Sequence, residues 1–148
     1  MKVLVDTSVW SVALRRRAED LNDEQAGLRR VLTDLIADDR VVMIGPIRQE
    51  LLSGVRDGAV FKRLRERLRD FDDEPLTTED FEVAAQAHNA CRKAGIAGSA
   101  IDFLICAVAQ QRQIAVFTTD KDFGRYADVL PIRLFDAGAA STGGPGES

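Results

Sequence analysis

Apolar and polar positions follow two rhythms along this chain, a short continuous one and a helical one, and the two take turns. Lys2-Val3-Leu4-Val5 is a brief β-branched run that stops at Asp6, the pattern of a parallel strand buried on both faces. Thr7 and Ser8 predict the cap of a helix carrying Val9, Trp10, Val12 and Ala13. Arg15-Arg16-Arg17 closes it, where cations suit a helix C-terminus. Asp23 predicts the cap of a second helix, with an apolar stripe at Leu28, Val31, Leu32, Leu35 and Ile36. Val41 to Ile44 reads as the second strand. Gly45-Pro46 opens a short helix over Ile47 to Leu52, and Ser53-Gly54 ends it. Ala59 to Phe71 is a further helix, with Val60, Leu64 and Leu68 one turn apart, and Pro75-Leu76 a short edge strand. Thr77-Thr78-Glu79-Asp80 starts a helix that runs through Ala94 to a stop at Gly95. Gly98-Ser99 starts another over Ala100 to Gln111. Ala115 to Thr118 is a strand ending at Thr119-Asp120, followed by a short helix around Phe123 to Ala127 and a last strand over Pro131 to Phe135.

Strands alternating with helices predict an α/β fold, a three-layer α/β/α arrangement around a mostly parallel central sheet. The 148 residues suit one domain, placed at 1–137, with a disordered tail at 138–148 where the composition turns to Gly, Ala, Ser, Thr and Pro. No run of about 18 apolar residues is present, so no membrane helix is expected. The N-terminus lacks the pattern of a signal peptide, and the expected location is cytoplasmic. Cys91 and Cys106 fit no metal spacing and no redox pair, and read as small buried side chains in a reducing compartment. The net charge of −4 does not announce a nucleic-acid binder, but the arginines are clustered, and a phosphate backbone responds to local charge.

The informative residues are acids in places where the pattern asks for something else. Asp6 and Asp120 each follow an apolar strand, and the carboxyl edge of a parallel sheet is where such folds bind ligands. Asp102 interrupts a helix that is otherwise apolar on every side, so it is expected to be largely buried, with no partner nearby in sequence. Glu50, in Pro46-Ile47-Arg48-Gln49-Glu50-Leu51, taken alone is an ordinary solvated helix position paired with Arg48 or another cation. It gains meaning only beside the other three. Asp122 is either a fifth ligand or the cap of the helix that follows. Carboxylates that converge raise one another's pKa unless a cation compensates, and an all-oxygen set selects Mg²⁺ or Mn²⁺ over Zn²⁺. His88, the only histidine, has no partner spacing, which leaves zinc chemistry and a Ser-His-Asp triad little support.

Four of these segments, in order, resemble the acidic motifs of PIN-domain ribonucleases of the VapC toxin type. They are Val3-Leu4-Val5-Asp6-Thr7-Ser8, Pro46 to Leu51, Gly98 to Ala107, and Phe117-Thr118-Thr119-Asp120-Lys121-Asp122-Phe123. The resemblance spans about Val3 to Phe135, and all four acids are present. It implies a metal-dependent endoribonuclease toxin in which Asp6, Glu50, Asp102 and Asp120 hold Mg²⁺ or Mn²⁺. Asp6 and Asp102 would be the best direct ligands, and Glu50 and Asp120 would act through water or orient the nucleophile. Thr7, Ser8 or Thr118 would support the carboxylates by hydrogen bonds. The products would carry a 5′-phosphate and a 3′-hydroxyl. The implied partners are an RNA substrate, a cognate VapB-type antitoxin covering the acidic pocket, and a second copy in a homodimer. Arg15 to Arg17, Arg29-Arg30, and Lys62, Arg63, Arg65, Arg67 and Arg69 are either a basic rim for RNA or solvated faces. Lys62, Arg65 and Arg69 share one helix face, with Glu66 and Asp70 as local partners.

Two other classes compete. A catalytically silent PIN scaffold would bind RNA or a partner without cutting. A phospho-acceptor receiver domain also clusters aspartates at strand ends, but it wants an acidic pair after the first strand, where this chain has Asp6-Thr7.

Overall fold

A computed structural model of the chain describes residues 1–138. The expected tail thus lies, from residue 139 on, outside the described residues. Four strands, β1 (Val3–Val5), β2 (Val41–Val42), β3 (Ala115–Phe117) and β4 (Arg133–Leu134), form one sheet in the order β2-β1-β3-β4, every pair parallel. The helices among the described residues are α1 (Thr7–Arg15), α2 (Asp23–Ala37), α3 (Gly45–Leu52), α4 (Gly58–Leu68), α5 (Thr78–Lys93), α6 (Ala100–Arg112) and α7 (Asp122–Val129). Together they make the three-layer α/β/α architecture that the alternating rhythm predicts. β1 and β3 are buried along their whole length, as continuous apolar runs require.

The order places β2 on one side of β1 and β3 on the other, so the chain reverses its winding direction between the two central strands. Such a reversal opens a crevice at the carboxyl ends of those strands. Val5 is in register with Phe117, so the residues immediately after them, Asp6 and Thr118, come out side by side at that crevice.

The core is built on Leu4, Trp10, Phe103, Phe117, Phe123 and Tyr126, all fully buried, with Trp10 edge-on to Phe71 at 5.0 Å. α6 explains its unbroken apolar sequence: Phe103 through Ala109 are all buried, between α5 and β3. Its C-terminal Arg112 donates to both oxygens of Asp80, at 2.6 and 2.8 Å, and to Glu74 at 2.8 Å, tying α6 to the start of α5. Asp80 is also the return half of the capping box with Thr77. Its bond to Arg112 holds its carboxyl below the usual aspartate range, against the opposing effect of burial.

Several local expectations shift. Asn22, not Asp23, caps α2, through a capping box with Gln25. Asp6 occupies the N-cap position of α1, where Thr7 and Ser8 were expected, and its side chain faces other donors. A single 3₁₀ turn at Ala18–Asp20 was not foreseen. Ile36 and Val60 lie on exposed faces, at the margins of their stripes. The helix expected over Ala59 to Phe71 starts at Gly58 on an Asp57 cap and ends at Leu68. Pro75-Leu76 is not a strand. The edge contact forms earlier, as a parallel bridge between Met43 and Asp73, because Arg48 pulls that segment in through Asp73 and the carbonyls of Leu68 and Phe71.

Candidate active site

Asp6 is 6 % exposed, one of two buried charged residues among those described. Its backbone N–H donates to Phe117 O at 2.8 Å, which continues the β1–β3 ladder and fixes where the side chain begins. The Ser8 and Thr118 hydroxyls both donate to Asp6 Oδ2, each at 2.8 Å. Those hydroxyls accept in turn, Ser8 Oγ from the Thr119 N–H at 3.0 Å and Thr118 Oγ1 from the Asp120 N–H at 3.0 Å. Asp120 is thereby carried on the same network as Asp6. Of the three hydroxyls expected to support the carboxylates, Ser8 and Thr118 do so, whereas Thr7 Oγ1 is buried without a hydrogen-bond partner among the described residues.

Asp102 sits in the first turn of α6, half-buried, with its N–H donating to the N-cap Ser99 hydroxyl at 3.1 Å. The partner that the neighbouring sequence failed to supply comes from α7: Tyr126 donates its phenolic O–H to Asp102 Oδ2 at 2.7 Å. Sequence reasoning passed over Tyr126, whose helical spacing from Phe123 marks it only as core. Burial raises the Tyr126 phenol above its ordinary range, and so do its bond to Asp102 and the charges of Asp102, Asp122 and Asp120, which places all three acids within its electrostatic reach. Cys106, one turn after Asp102, is pushed up to about 12 by burial, then by Cys91, Asp102 and Asp6.

Asp120 is exposed, and its Oδ1 accepts from the Asp122 N–H at 2.9 Å. Lys121 is the N-cap residue of α7, with no side-chain cap bond; Asp122 lies within the first turn and does not cap. Glu50 is exposed on α3 and pairs with no described residue, since Arg48, its expected partner, bonds Asp73 at 2.9 Å instead. Glu50 lines a groove of about 530 Å³ with Pro46, Phe81, His88, Ala100 and Leu104, between α3, α5 and the first turn of α6. It therefore faces the helix that carries Asp102, but shares no hydrogen bond with the other acids.

The donor chemistry fits a hard divalent cation. Asp6, Asp102 and Asp120 each commit one carboxylate oxygen to a protein donor and leave the other without one among the described residues. The lone histidine lines the Glu50 groove with its ring stacked on Phe103 at 5.2 Å, and among the described residues it hydrogen-bonds none of the acids. Among the described residues no group of three or more His, Cys, Asp or Glu side chains is already arranged to hold a metal ion, so the expected single knot of carboxylates is an open set as the chain stands.

Some of the expected basic residues gather at one place. Arg16 and Arg17 at the end of α1, with Arg63 and Arg67 on α4, rim a groove of about 470 Å³ floored by Leu14, Val55, Val60 and Leu64. The Lys62, Arg65 and Arg69 face does not line it, and among the described residues none of those three forms an ion pair with Glu66 or Asp70. No described helix is long and apolar enough to cross a membrane.

Three solved structures share this architecture. The FitAcB structure from Neisseria gonorrhoeae superposes with a TM-score of 0.70 at 24 % identity, covering 91 % of this chain and 97 % of that one. VapBC2 from Rickettsia felis, bound to a DNA fragment from its promoter, gives 0.69 at 14 % identity over 92 % and 100 %. VapBC-1 from nontypeable Haemophilus influenzae gives 0.69 at 13 % over 93 % and 99 %. No curated protein sequence matches the chain. The PIN domain family model matches residues 3–129, a span that contains every acid of the site. The chain belongs to the PIN domain family.

Proposed function

We propose that this chain is a metal-dependent endoribonuclease toxin of the VapC type, with Asp6, Glu50, Asp102 and Asp120 as its catalytic acids. The observation that carries the reading is the state of three carboxylates, Asp6 at the crevice between β1 and β3, Asp102 on the first turn of α6 and Asp120 after β3: each is held through one oxygen by protein donors and has none at the other among the described residues. Asp6, Asp102 and Asp120 would hold Mg²⁺ or Mn²⁺, with Glu50 acting through water and Asp122 as an additional acid. Bound there, the cation would supply Lewis-acid stabilisation of phosphoryl charge and a more acidic attacking water.

The chain's own residues do the rest. Ser8 and Thr118 fix the rotation of the Asp6 carboxylate, and Tyr126 that of Asp102. Glu50, exposed and without a described partner, is free to orient the attacking water and accept its proton. Thr118 and the Asp122 N–H hold Asp120 at the rim, from its backbone and side chain respectively. Hydrolysis then breaks the P–O3′ bond and leaves a 5′-phosphate and a 3′-hydroxyl. An RNA substrate, a small VapB-type antitoxin, a homodimer and a cytoplasmic setting complete the reading. Support for the antitoxin comes from the likeness to FitAcB and VapBC assemblies. For a polyanion, Arg16, Arg17, Arg63 and Arg67 at the rim of their groove are the proposed cationic contacts.

The test is incubation with mixed tRNA and ribosomal RNA plus Mg²⁺ or Mn²⁺, with and without EDTA. Cleavage is expected, abolished by the chelator and reduced at least about 10²-fold by Asp6→Asn or Asp102→Asn in folded protein. RNA binding without cleavage would favour the silent scaffold. Unchanged activity per folded molecule in Asp102→Asn would make that acid structural.

A further inference from the structure

We propose that Tyr126 is a positioning residue for the Asp102 carboxylate, and that Gly98 is glycine because that arrangement leaves no room for a side chain. The inference deepens the nuclease reading and rests on it. It starts from a contact that packing alone does not require. Tyr126 is fully buried in the middle of α7, yet its O–H reaches across to α6 and donates to Asp102 Oδ2 at 2.7 Å. The ring that carries it is clamped. Phe103, the residue after Asp102, sits 5.2 Å away by ring centroid, and Phe123 sits 5.1 Å away, edge-on. A phenol held on two sides in this way has little freedom, so the carboxylate oxygen it bonds has little freedom either.

Gly98, just before the cap of α6, closes the third side. A Cβ built there would lie 2.5 Å from Tyr126 Oη, 2.8 Å from Phe103 Cζ and 3.0 Å from Phe103 Cε2. The positive-φ glycines among the described residues are Gly54 and Gly95, so what Gly98 provides is space and not a left-handed backbone. Any side chain there must push the phenol off Asp102 or displace Phe103 behind it. One glycine, two aromatic rings and one hydroxyl thus fix which oxygen of Asp102 stays available to a ligand. Groups that orient metal-binding carboxylates in this manner typically change metal affinity or activity 10–100-fold when removed.

Tyr126→Phe keeps the ring and deletes one hydroxyl, which separates positioning from packing. Three measurements decide the matter: Mn²⁺ binding by calorimetry without RNA, steady-state cleavage of RNA, and melting temperature. Tyr126→Phe is expected to melt within a few degrees of wild type, to bind Mn²⁺ about 10–100-fold more weakly, and to lose kcat with KM for RNA unchanged. Gly98→Ala should reproduce that loss, and should add less in the Tyr126→Phe background than in wild type, because the tightest of its three contacts is then gone. Tyr126 is the only tyrosine in the chain, so ultraviolet resonance Raman reads its hydrogen bond directly; the donor signature should vanish in Asp102→Ala. If Tyr126→Phe binds Mn²⁺ and cuts RNA like wild type while Asp102→Asn does neither, the positioning role is overturned and the nuclease reading stands. If wild-type protein itself neither binds Mn²⁺ nor cuts RNA, the nuclease reading falls and takes this inference with it.

Discussion

Thr118 does the most with the least. Its hydroxyl donates to Asp6 and accepts from the Asp120 N–H, so one oxygen couples the ends of two acid-bearing segments. Thr118→Val, nearly the same shape, is expected to cost about 1–3 kcal/mol in urea denaturation by leaving those polar groups short of a partner, and to slow RNA cleavage. Thr118→Ser should restore both. At this scale the sequence shows its acids clearly. Asp6 and Asp120 interrupt apolar runs at strand ends, and Asp102 is a lone charge in an apolar helix, so each violates a local pattern. Tyr126 and Gly98 violate none. A tyrosine three residues after Phe123 reads as core, and it is core; only its hydroxyl has another task, toward an acid 24 residues away. The clue available was indirect: a half-buried Asp102 demanded a donor from somewhere, and the chain has a single tyrosine to offer.

Between elements, Arg112 is the joint. Its fork holds Asp80 and Glu74 and also donates to the Pro75 carbonyl, fastening the end of α6 to the start of α5. Arg112→Met would leave the Asp80 carboxylate buried without its counter-charge, and we expect a loss of about 3 kcal/mol by urea denaturation. The pH dependence follows from the sign of the shift. The folded pKa of Asp80 lies below its unfolded value, so the unfolded chain binds the extra proton. The stabilisation is therefore full above about pH 4 and is lost as pH falls through the lowered folded value. Melting curves of wild type between pH 6 and 2 should fall more steeply on the acid side than those of Arg112→Met. The capping box at Thr77 and Asp80 was legible from four consecutive residues. The arginine that completes it was not, because its role depends on how two helices lie together. The same limit explains Pro75-Leu76: its strand pattern gave way to the pull of Arg48 on Asp73.

For the whole molecule, what the sequence could not reveal is which strands are neighbours. The alternation of elements gives layers and parallel strands, but only the order β2-β1-β3-β4 brings Asp6 and Thr118 to the same crevice. The proposed cation site has a thermodynamic consequence. On the proposed function, a divalent ion binds the folded chain and not the unfolded one, so Mn²⁺ at ~100 times its dissociation constant should stabilise by about 2.7 kcal/mol. Scanning calorimetry should show a rise in melting temperature that EDTA reverses and that Asp6→Asn combined with Asp102→Asn abolishes. The sheet that assembles the site also has an unusual outline. Both of its border strands are two residues long, and β4 carries Arg133 in an exposed position. A border this short exposes few unpaired amides and carbonyls, and a charge beside them discourages a stranger's backbone from lining up. The folded protein is therefore expected to resist strand-to-strand polymerisation when concentrated, even though the central strands of its sheet are wholly apolar.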